Sequence, residues 1–141
     1  MKPLLDFLQE HWVMGLATCG SQGPHSAPVF YAVLTDPLRL IFVSEPDTRH
    51  MREIAVDPRV AAAIWQETRE PGRIRGAQCW GRVEMPSDSS ELSQAYLEKF
   101  PEARLVLLAS AKHRFCALHV ERVRFINKRL GMGKNQEWKL P

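Results

Sequence analysis

Residues 40–64 read LIFVSEPDTRHMREIAVDPRVAAAI, and this stretch decides how the chain folds. Its apolar run predicts a strand, the segment after it repeats apolar residues at helical spacing, and the alanine-rich run predicts a second strand. Pro58 is expected to end the helix, because proline disfavours helical backbone in the residue before it. The turn that enters the helix carries an unusual group of polar side chains, namely Ser44, Thr48, Arg49 and His50.

The polar turn has two explanations on these residues alone. A helix N-terminus leaves backbone N–H groups without partners and carries the positive end of the helix dipole, so it binds anions such as phosphate. Ser44 and Thr48 can add hydroxyl donors. Arg49 can add a bidentate charged contact, and His50 a further donor. The alternative is an ordinary helix that Asp47 or Thr48 caps, with the two basic side chains in water.

The remaining segments predict a mainly β fold. A short amphipathic helix is expected over residues 3–11, and a longer helical segment over 86–110 is expected to be divided by Pro101. The predicted strands are residues 12–19, 25–34, 39–45, 59–66, 73–85 and 115–128. Their order favours a closed antiparallel barrel of about six strands with small flanking helices, in one domain over residues 1–141. Two glycines in the fifth strand predict a bulge or a close backbone approach.

Composition and charge exclude several kinds of protein. The apolar fraction of 45% and the charged fraction of 25% are typical of a soluble globular domain. The net charge of +3 suits a small phosphorylated ligand, but the cations are spread along the chain, so no nucleic-acid partner is expected. Three cysteines without a CxxC pair predict no disulfide framework and no zinc site, and reduced thiols indicate the cytoplasm. We expect no membrane span and no signal peptide, because no apolar run is long enough and the N-terminal segment carries acidic residues.

The stretch 40–64 resembles the core of the pyridoxamine 5′-phosphate oxidase-like proteins, which are FMN-binding split barrels. Their pattern is a strand that ends in an apolar or aromatic residue and Ser or Thr, then a Ser/Thr–Arg–Lys cluster, a helix, Asn/Asp–Pro–Arg and an alanine-rich strand. The matching positions here are Val43, Ser44, Thr48-Arg49-His50, Asp57-Pro58-Arg59 and the run VAAAI. The resemblance implies that the first five of these residues bind FMN, with the cluster on its phosphate. It also implies a homodimer with cofactor clefts at the interface.

The sequence departs from the oxidases of that family at several positions. His50 stands where the family usually has Lys, so the phosphate contact would depend on pH or on the tautomer. Pro28 and Val33 stand where those oxidases carry an Arg and a Lys for the cofactor, and their C-terminal Arg and His for the substrate are not recognisable. The length and the ending LGMGKNQEW resemble a short bacterial branch of the superfamily. We therefore expect the fold and an FMN site rather than vitamin B6 oxidation.

Two further side chains are candidates for contact with a flavin ring. The family often has a polar residue where Gln78 stands, and an amide can pair with the carbonyl and N–H edge of the ring. An outward-facing strand glutamine is the alternative. Trp138, like Trp80, could stack on the ring, and packing in the core or at a dimer interface is the alternative. Lys134 is a weaker candidate, which we expect to be solvated.

No motif indicates catalysis by the chain's own side chains. The histidines outside the turn lack metal-ligand spacing and are interpreted as surface or core residues, namely His11, His25, His113 and His119. LGMGKN lacks the upstream glycine and the final Ser or Thr of a phosphate loop, and there is no Rossmann or nucleophile-elbow motif. Catalytic residues are therefore unknown, and a bound flavin would carry the chemistry. We expect an FMN-dependent oxidoreductase with an unknown small substrate. The alternatives are a flavin- or haem-binding or storage protein without catalysis, and a scaffold that keeps only the fold.

Overall fold

The computed structural model describes residues 1–128 and 135–141, which form an antiparallel barrel with helices on its outside. The helices are α1 (Lys2–Glu10), α2 (Arg49–Val56), α3 (Ser90–Lys99) and α4 (Ala103–Leu108), and a 3₁₀ turn covers Pro71–Arg73. The strands are β1 (Val13–Gly20), β2 (Gly23–Phe30), β3 (Ala32–Thr35), β4 (Leu38–Ser44), β5 (Arg59–Trp65), β6 (Arg75–Glu84), β7 (Arg114–Asn127) and β8 (Asn135–Lys139). The predicted mainly β split barrel with flanking helices is confirmed.

The described strands belong to one sheet in the order β2-β1-β5-β6-β7-β4-β3, and their pairings are antiparallel. The first half of β7 pairs with β4, and its second half pairs with β8. β2 and β3 stand at the two ends of this order. The barrel is therefore split where β2 lies against β4 without a ladder of hydrogen bonds, and α2 packs against β1 and β2.

The structure has eight strands within the described residues, where the sequence predicts about six. The predicted strand over 25–34 is two strands separated by Tyr31. The backbone N–H of Tyr31 donates to the Trp12 carbonyl at 3.0 Å, and its buried hydroxyl donates to the Leu8 carbonyl at 2.6 Å. At this residue the chain leaves β1 and begins to pair with β4. The last strand, at 135–139, is mostly polar and exposed, so it gives no apolar alternation to recognise.

The other predicted boundaries agree with the structure to within a few residues. α2 ends at Val56, shortly before Pro58, and the helical segment in the C-terminal half is divided at Pro101. The predicted close approach is at Gly81, where the pairing with β7 shifts register and a Cβ would overlap the carbonyl oxygen of His119. In the described part of the chain, no helix has the length and apolar character that crossing a bilayer requires.

Two apolar clusters hold the helices to the barrel. The larger fills the barrel and takes in the buried face of α1. The smaller lies on the outside of β3, β4 and β7, where Tyr96 and Phe100 of α3 pack. Side chains of β4 alternate between the two clusters, because successive residues of a strand face opposite sides. Phe42 faces the barrel interior and Val43 faces the outer cluster, so the end of β4 offers Ser44 to the interior side.

Candidate functional site

Three polar side chains from the turn between β4 and α2 meet in one place. β4 ends at Ser44, and Thr48 is the N-cap residue of α2, so the turn brings both near His50 in the first turn of the helix. Ser44 Oγ lies 2.7 Å from His50 Nε2, and Thr48 Oγ1 lies 3.4 Å from the same nitrogen. Ser44 and His50 are each 8% exposed. We call Ser44, Thr48 and His50 the anion cluster.

The first turn of α2 has no side-chain cap. The Thr48 hydroxyl donates to the Glu45 carbonyl at 2.9 Å instead of accepting from the helix, and no acidic side chain stands in that turn. The capped helix, with Asp47 or Thr48 as the cap, is therefore not what the structure shows. The first backbone N–H groups of α2 therefore have no side-chain acceptor in the described chain, and no acidic side chain in this turn balances the positive end of the helix dipole. This helix end suits an anion such as phosphate.

The protonation of His50 is set by its surroundings. Burial lowers the pKa of His50, and the nearby imidazole of His25 on β2 lowers it further. The neutral ring carries one N–H. With that hydrogen on Nε2, His50 donates to Ser44 Oγ, and the hydroxyl hydrogen of Ser44 can then donate to a ligand. The anion cluster is therefore neutral near neutral pH, with the Ser44 hydroxyl hydrogen available to a ligand, and it gains a positive charge on acidification.

Arg49 lies against β1 through an acidic side chain. Its Nε is 3.4 Å from Glu53 Oε1, and the Thr18 hydroxyl donates to the same oxygen at 3.0 Å. The Glu53 side chain is 10% exposed, and a Cβ at position 20 would overlap its carboxylate, so a larger residue there would displace Glu53 from this contact. The terminal amino groups of the Arg49 guanidinium make no hydrogen bond within the described residues. They are available to a ligand, and the contact of Arg49 with a phosphate stays a prediction.

An open cavity of about 590 Å³ lies on the outer side of β4. We call it the aromatic cavity, and its wall includes Trp12, Phe30, Val43, Tyr96, Phe100 and His113. The ring centroids of Phe100 and Phe30 are 5.4 Å apart, and apolar aromatic walls suit a planar ring. His113 Nε2 lies 3.9 Å from a carboxylate oxygen of Glu45, whose carbonyl accepts from Thr48. Glu45 therefore contacts one residue of the aromatic cavity and one residue of the anion cluster.

The two predicted contacts to a flavin ring lie elsewhere in this chain. Gln78 is exposed on the outer face of β6, where it lines a groove of about 250 Å³ with Trp65 and Trp80. Trp138 on β8 stands opposite Val123 on β7, and it packs against the larger core cluster. Their contact with a ring stays a prediction. Lys134 lies outside the described residues.

A sequence family described as pyridoxamine 5′-phosphate oxidase matches residues 2–127. This chain belongs to the pyridoxamine 5′-phosphate oxidase-like family. One relative of this family member is a UPF0306 protein of Yersinia pestis bv. Antiqua (strain Angola). It is 26% identical over 134 residues, which are 94% of this chain and 88% of that protein.

Solved structures share the pyridoxamine 5′-phosphate oxidase-like fold with this chain. A heme-binding protein from Mycobacterium smegmatis has a TM-score of 0.78 and 24% identity, and the match covers 94% of this chain and 55% of that one. A FAD-binding protein from Mesorhizobium loti has a TM-score of 0.68 and 19% identity, with 86% and 88% of the two chains covered. At these identities the likeness shows a common fold.

Several residues around the candidate site of this pyridoxamine 5′-phosphate oxidase-like chain are not among those that the sequence predicts. The sequence predicts His25 and His113 to be surface or core residues, and the structure places one near His50 and the other on the wall of the aromatic cavity. Thr18 and Glu53 were not considered at all. The spacing of Glu53 from Arg49 is the i,i+4 spacing of helical ion pairs, a signal that could have been used. The other three depend on contacts between distant segments, for which the sequence gives no local signal.

Proposed function

We propose that this protein binds FMN, with the phosphate at the anion cluster and the ring in the aromatic cavity. The observation that carries the proposal is the uncapped first turn of α2 beside the buried Ser44–His50 pair. A buried hydroxyl that an imidazole orients, together with backbone N–H groups that no side chain caps, suits a phosphate. The aromatic cavity would take a flat ring of the same ligand, with the ligand passing around the end of β4, because Val43 on the cavity wall is the chain neighbour of Ser44.

Each side chain has a definite task in this proposal. Ser44 would donate its hydroxyl hydrogen to a phosphate oxygen while His50 Nε2–H holds the Ser44 oxygen in place. Arg49 would present its terminal amino groups, with Nε held by Glu53. Val43 would contact the ring on the outer side of β4. Bound FMN would supply electron transfer to a small substrate, so the activity that we propose is that of an oxidoreductase.

We also propose a homodimer in the cytoplasm. The outer face of β1 and β5 carries small side chains around a shallow groove, and Trp65 beside them is 57% exposed. An exposed face of this kind suits a C2 interface, the commonest arrangement in soluble oligomers. Gln78 lines the same groove, so it would lie at this interface. The three free cysteines suit a reducing compartment.

Haem is the second candidate ligand, and His113 is the observation that favours it. His113 lines the aromatic cavity, and its Nδ1 lies 3.2 Å from the Ser110 carbonyl. If Nδ1–H donates there, Nε2 keeps the lone pair that an axial ligand of haem iron uses, and the Glu45 carboxylate, 3.9 Å from Nε2, would have to turn aside. The structural likeness to the mycobacterial heme-binding protein adds support at the level of the fold. In this case the protein would store or bind haem without catalysis.

The absorbance spectrum of the purified protein, before and after addition of FMN or haem, tests both candidates. Flavin bands that reach one equivalent per chain support FMN, and bleaching by a reduced nicotinamide supports the oxidoreductase. A Soret band that reaches one equivalent supports haem. Binding of neither ligand at micromolar concentration would overturn the proposal.

Two variants separate the ligands. Ser44→Ala should weaken FMN binding and spare haem, because it removes a phosphate donor. His113→Ala should shift or abolish the Soret band and affect FMN less. Sedimentation at micromolar concentration tests the dimer, and Trp65→Glu should shift the protein towards monomer if the groove is the interface.

A further inference from the structure

A second open cavity, of about 730 Å³, lies between α2, the segment before α3 and the start of β7. We call it the basic cavity, and its wall includes Met51, Arg52, Met85, Ser87, His113 and Arg114. Among the described residues, the side chains on this wall that carry a permanent charge are arginines, and none is a carboxylate. The cavity is within the usual size range of small-molecule sites, which is about 300–1,000 Å³.

The two arginines of the basic cavity are held in place by backbone carbonyls. Arg52 Nη1 donates to the Asp47 carbonyl at 2.9 Å, and Arg114 Nη1 donates to the Ala111 carbonyl at 3.2 Å. Neither guanidinium lies in an ion pair within the described chain, unlike Arg49 with Glu53. Both arginines are exposed, each contacts a backbone carbonyl, and neither charge is neutralised by a carboxylate among the described residues, which favours an anionic group.

The rest of the wall indicates what the anionic group is attached to. Met51 is buried with 4% exposure, and its side chain forms an apolar surface with Phe115. The Ser87 and Ser89 hydroxyls line the same space. A ligand that suits this wall has a carboxylate or phosphate at one end and a small apolar body at the other, because desolvated apolar walls favour apolar groups.

The basic cavity adjoins the proposed flavin site. His113 lines both the basic cavity and the aromatic cavity, so the two cavities adjoin at this residue. We propose that the basic cavity is the substrate subsite and that the substrate is a small organic anion, a carboxylate or a phosphate monoester on an apolar body. The assignment as substrate rests on the proposed flavin function, whereas the binding of an organic anion does not.

The methionines of the cavity give a direct readout of binding. We would label the methionine methyl groups with ¹³C and titrate the full chain with benzoate, phenyl phosphate and the neutral benzyl alcohol. Met51 and Met85 line the basic cavity, and Met14 is fully buried in the barrel. Saturable shifts at the first two methyl groups, with Met14 unchanged, are expected for at least one anion. The anion that binds more tightly tells whether the subsite prefers carboxylate or phosphate.

Charge variants test the role of the arginines. Arg52→Gln and Arg114→Gln should each weaken the better anion roughly tenfold, the effect of losing one charge-assisted contact. Arg69→Gln is the matched control, because it changes the net charge equally and Arg69 lines neither cavity. If Arg114→Gln does not fold, Arg52→Gln decides. Equal shifts with benzyl alcohol, no shift with either anion at millimolar concentration, or equal losses in all three variants would overturn the anion site.

Repeating the titration with FMN separates this inference from the flavin proposal. Simultaneous binding of FMN and the aromatic anion is expected. If FMN displaces the anion from the Met51 and Met85 signals, the basic cavity is the phosphate site of FMN and the substrate subsite is overturned. If the anion binds and FMN does not, the anion site stands and its assignment to a flavin substrate is overturned.

Discussion

Replacing Arg49 with Gln should weaken FMN binding and leave riboflavin binding almost unchanged. The guanidinium is held through Nε by Glu53, and its terminal amino groups are available for a phosphate. A hydrogen bond to a charged group contributes about 1.5–3 kcal/mol. The Arg49 side chain is 36% exposed and lies beside a carboxylate, both of which weaken its pull, so the lower end applies. About 1.5 kcal/mol corresponds to a roughly tenfold rise in Kd.

Titration by flavin fluorescence quenching, with both flavins and at fixed ionic strength, measures this difference. Riboflavin lacks the phosphate and reports whether the ring site is intact. Arg69→Gln controls for the change in net charge, because Arg69 lies outside the candidate site. Equal losses for FMN and riboflavin, or no loss for either, would refute the phosphate contact and leave Arg49 as the partner of Glu53 alone.

Three further expectations concern stability, protonation and thiol chemistry. Ser44→Ala leaves the buried His50 nitrogen with only its longer, 3.4 Å contact to the Thr48 hydroxyl, so the free energy of unfolding in urea should fall by about 1 kcal/mol, and an unchanged value would contradict the 2.7 Å contact. Because the pKa of His50 is lowered from 6.5 in the folded state, the ligand-free protein should lose stability as the pH falls below that value. His50→Gln should flatten this part of the profile, and an unchanged slope would contradict the assignment. Burial raises the pKa of Cys79 and Cys116 to about 12, so a disulfide reagent should modify Cys19 first, and rapid modification of three thiols in the native protein would contradict their burial.

The elements around the candidate site could be predicted because their signals are local. Helical spacing and Pro58 define α2, and an alanine-rich run defines β5. Tyr31 gives no such signal, since the chain stays extended on both sides of it and only the pairing partner changes. The sequence therefore predicts the barrel and undercounts its strands.

The site itself was predictable by residue type and not by geometry. The hydroxyl and imidazole groups of the anion cluster stand in one turn, so their meeting follows from the turn. The orientation of the Arg49 side chain does not follow from the turn, because it depends on Glu53. Glu53 in turn accepts a hydrogen bond from Thr18, which lies 35 residues earlier on β1. Cavities between helices and strands, such as the aromatic cavity, arise only after the whole chain has packed.

The split between β2 and β4 means that a bound ligand can link two strands that do not pair with each other. His25 and Phe30 are on β2, and Val43 and Ser44 are on β4. No ladder of hydrogen bonds links these two strands. A ligand that contacts both strands stabilises the barrel at the place where backbone hydrogen bonds are missing. Such a ligand raises the free energy of unfolding by about 2.7 kcal/mol at a ligand concentration one hundred times its Kd. Candidate ligands can therefore be ranked by the rise in melting temperature that each one causes, before any reaction is known.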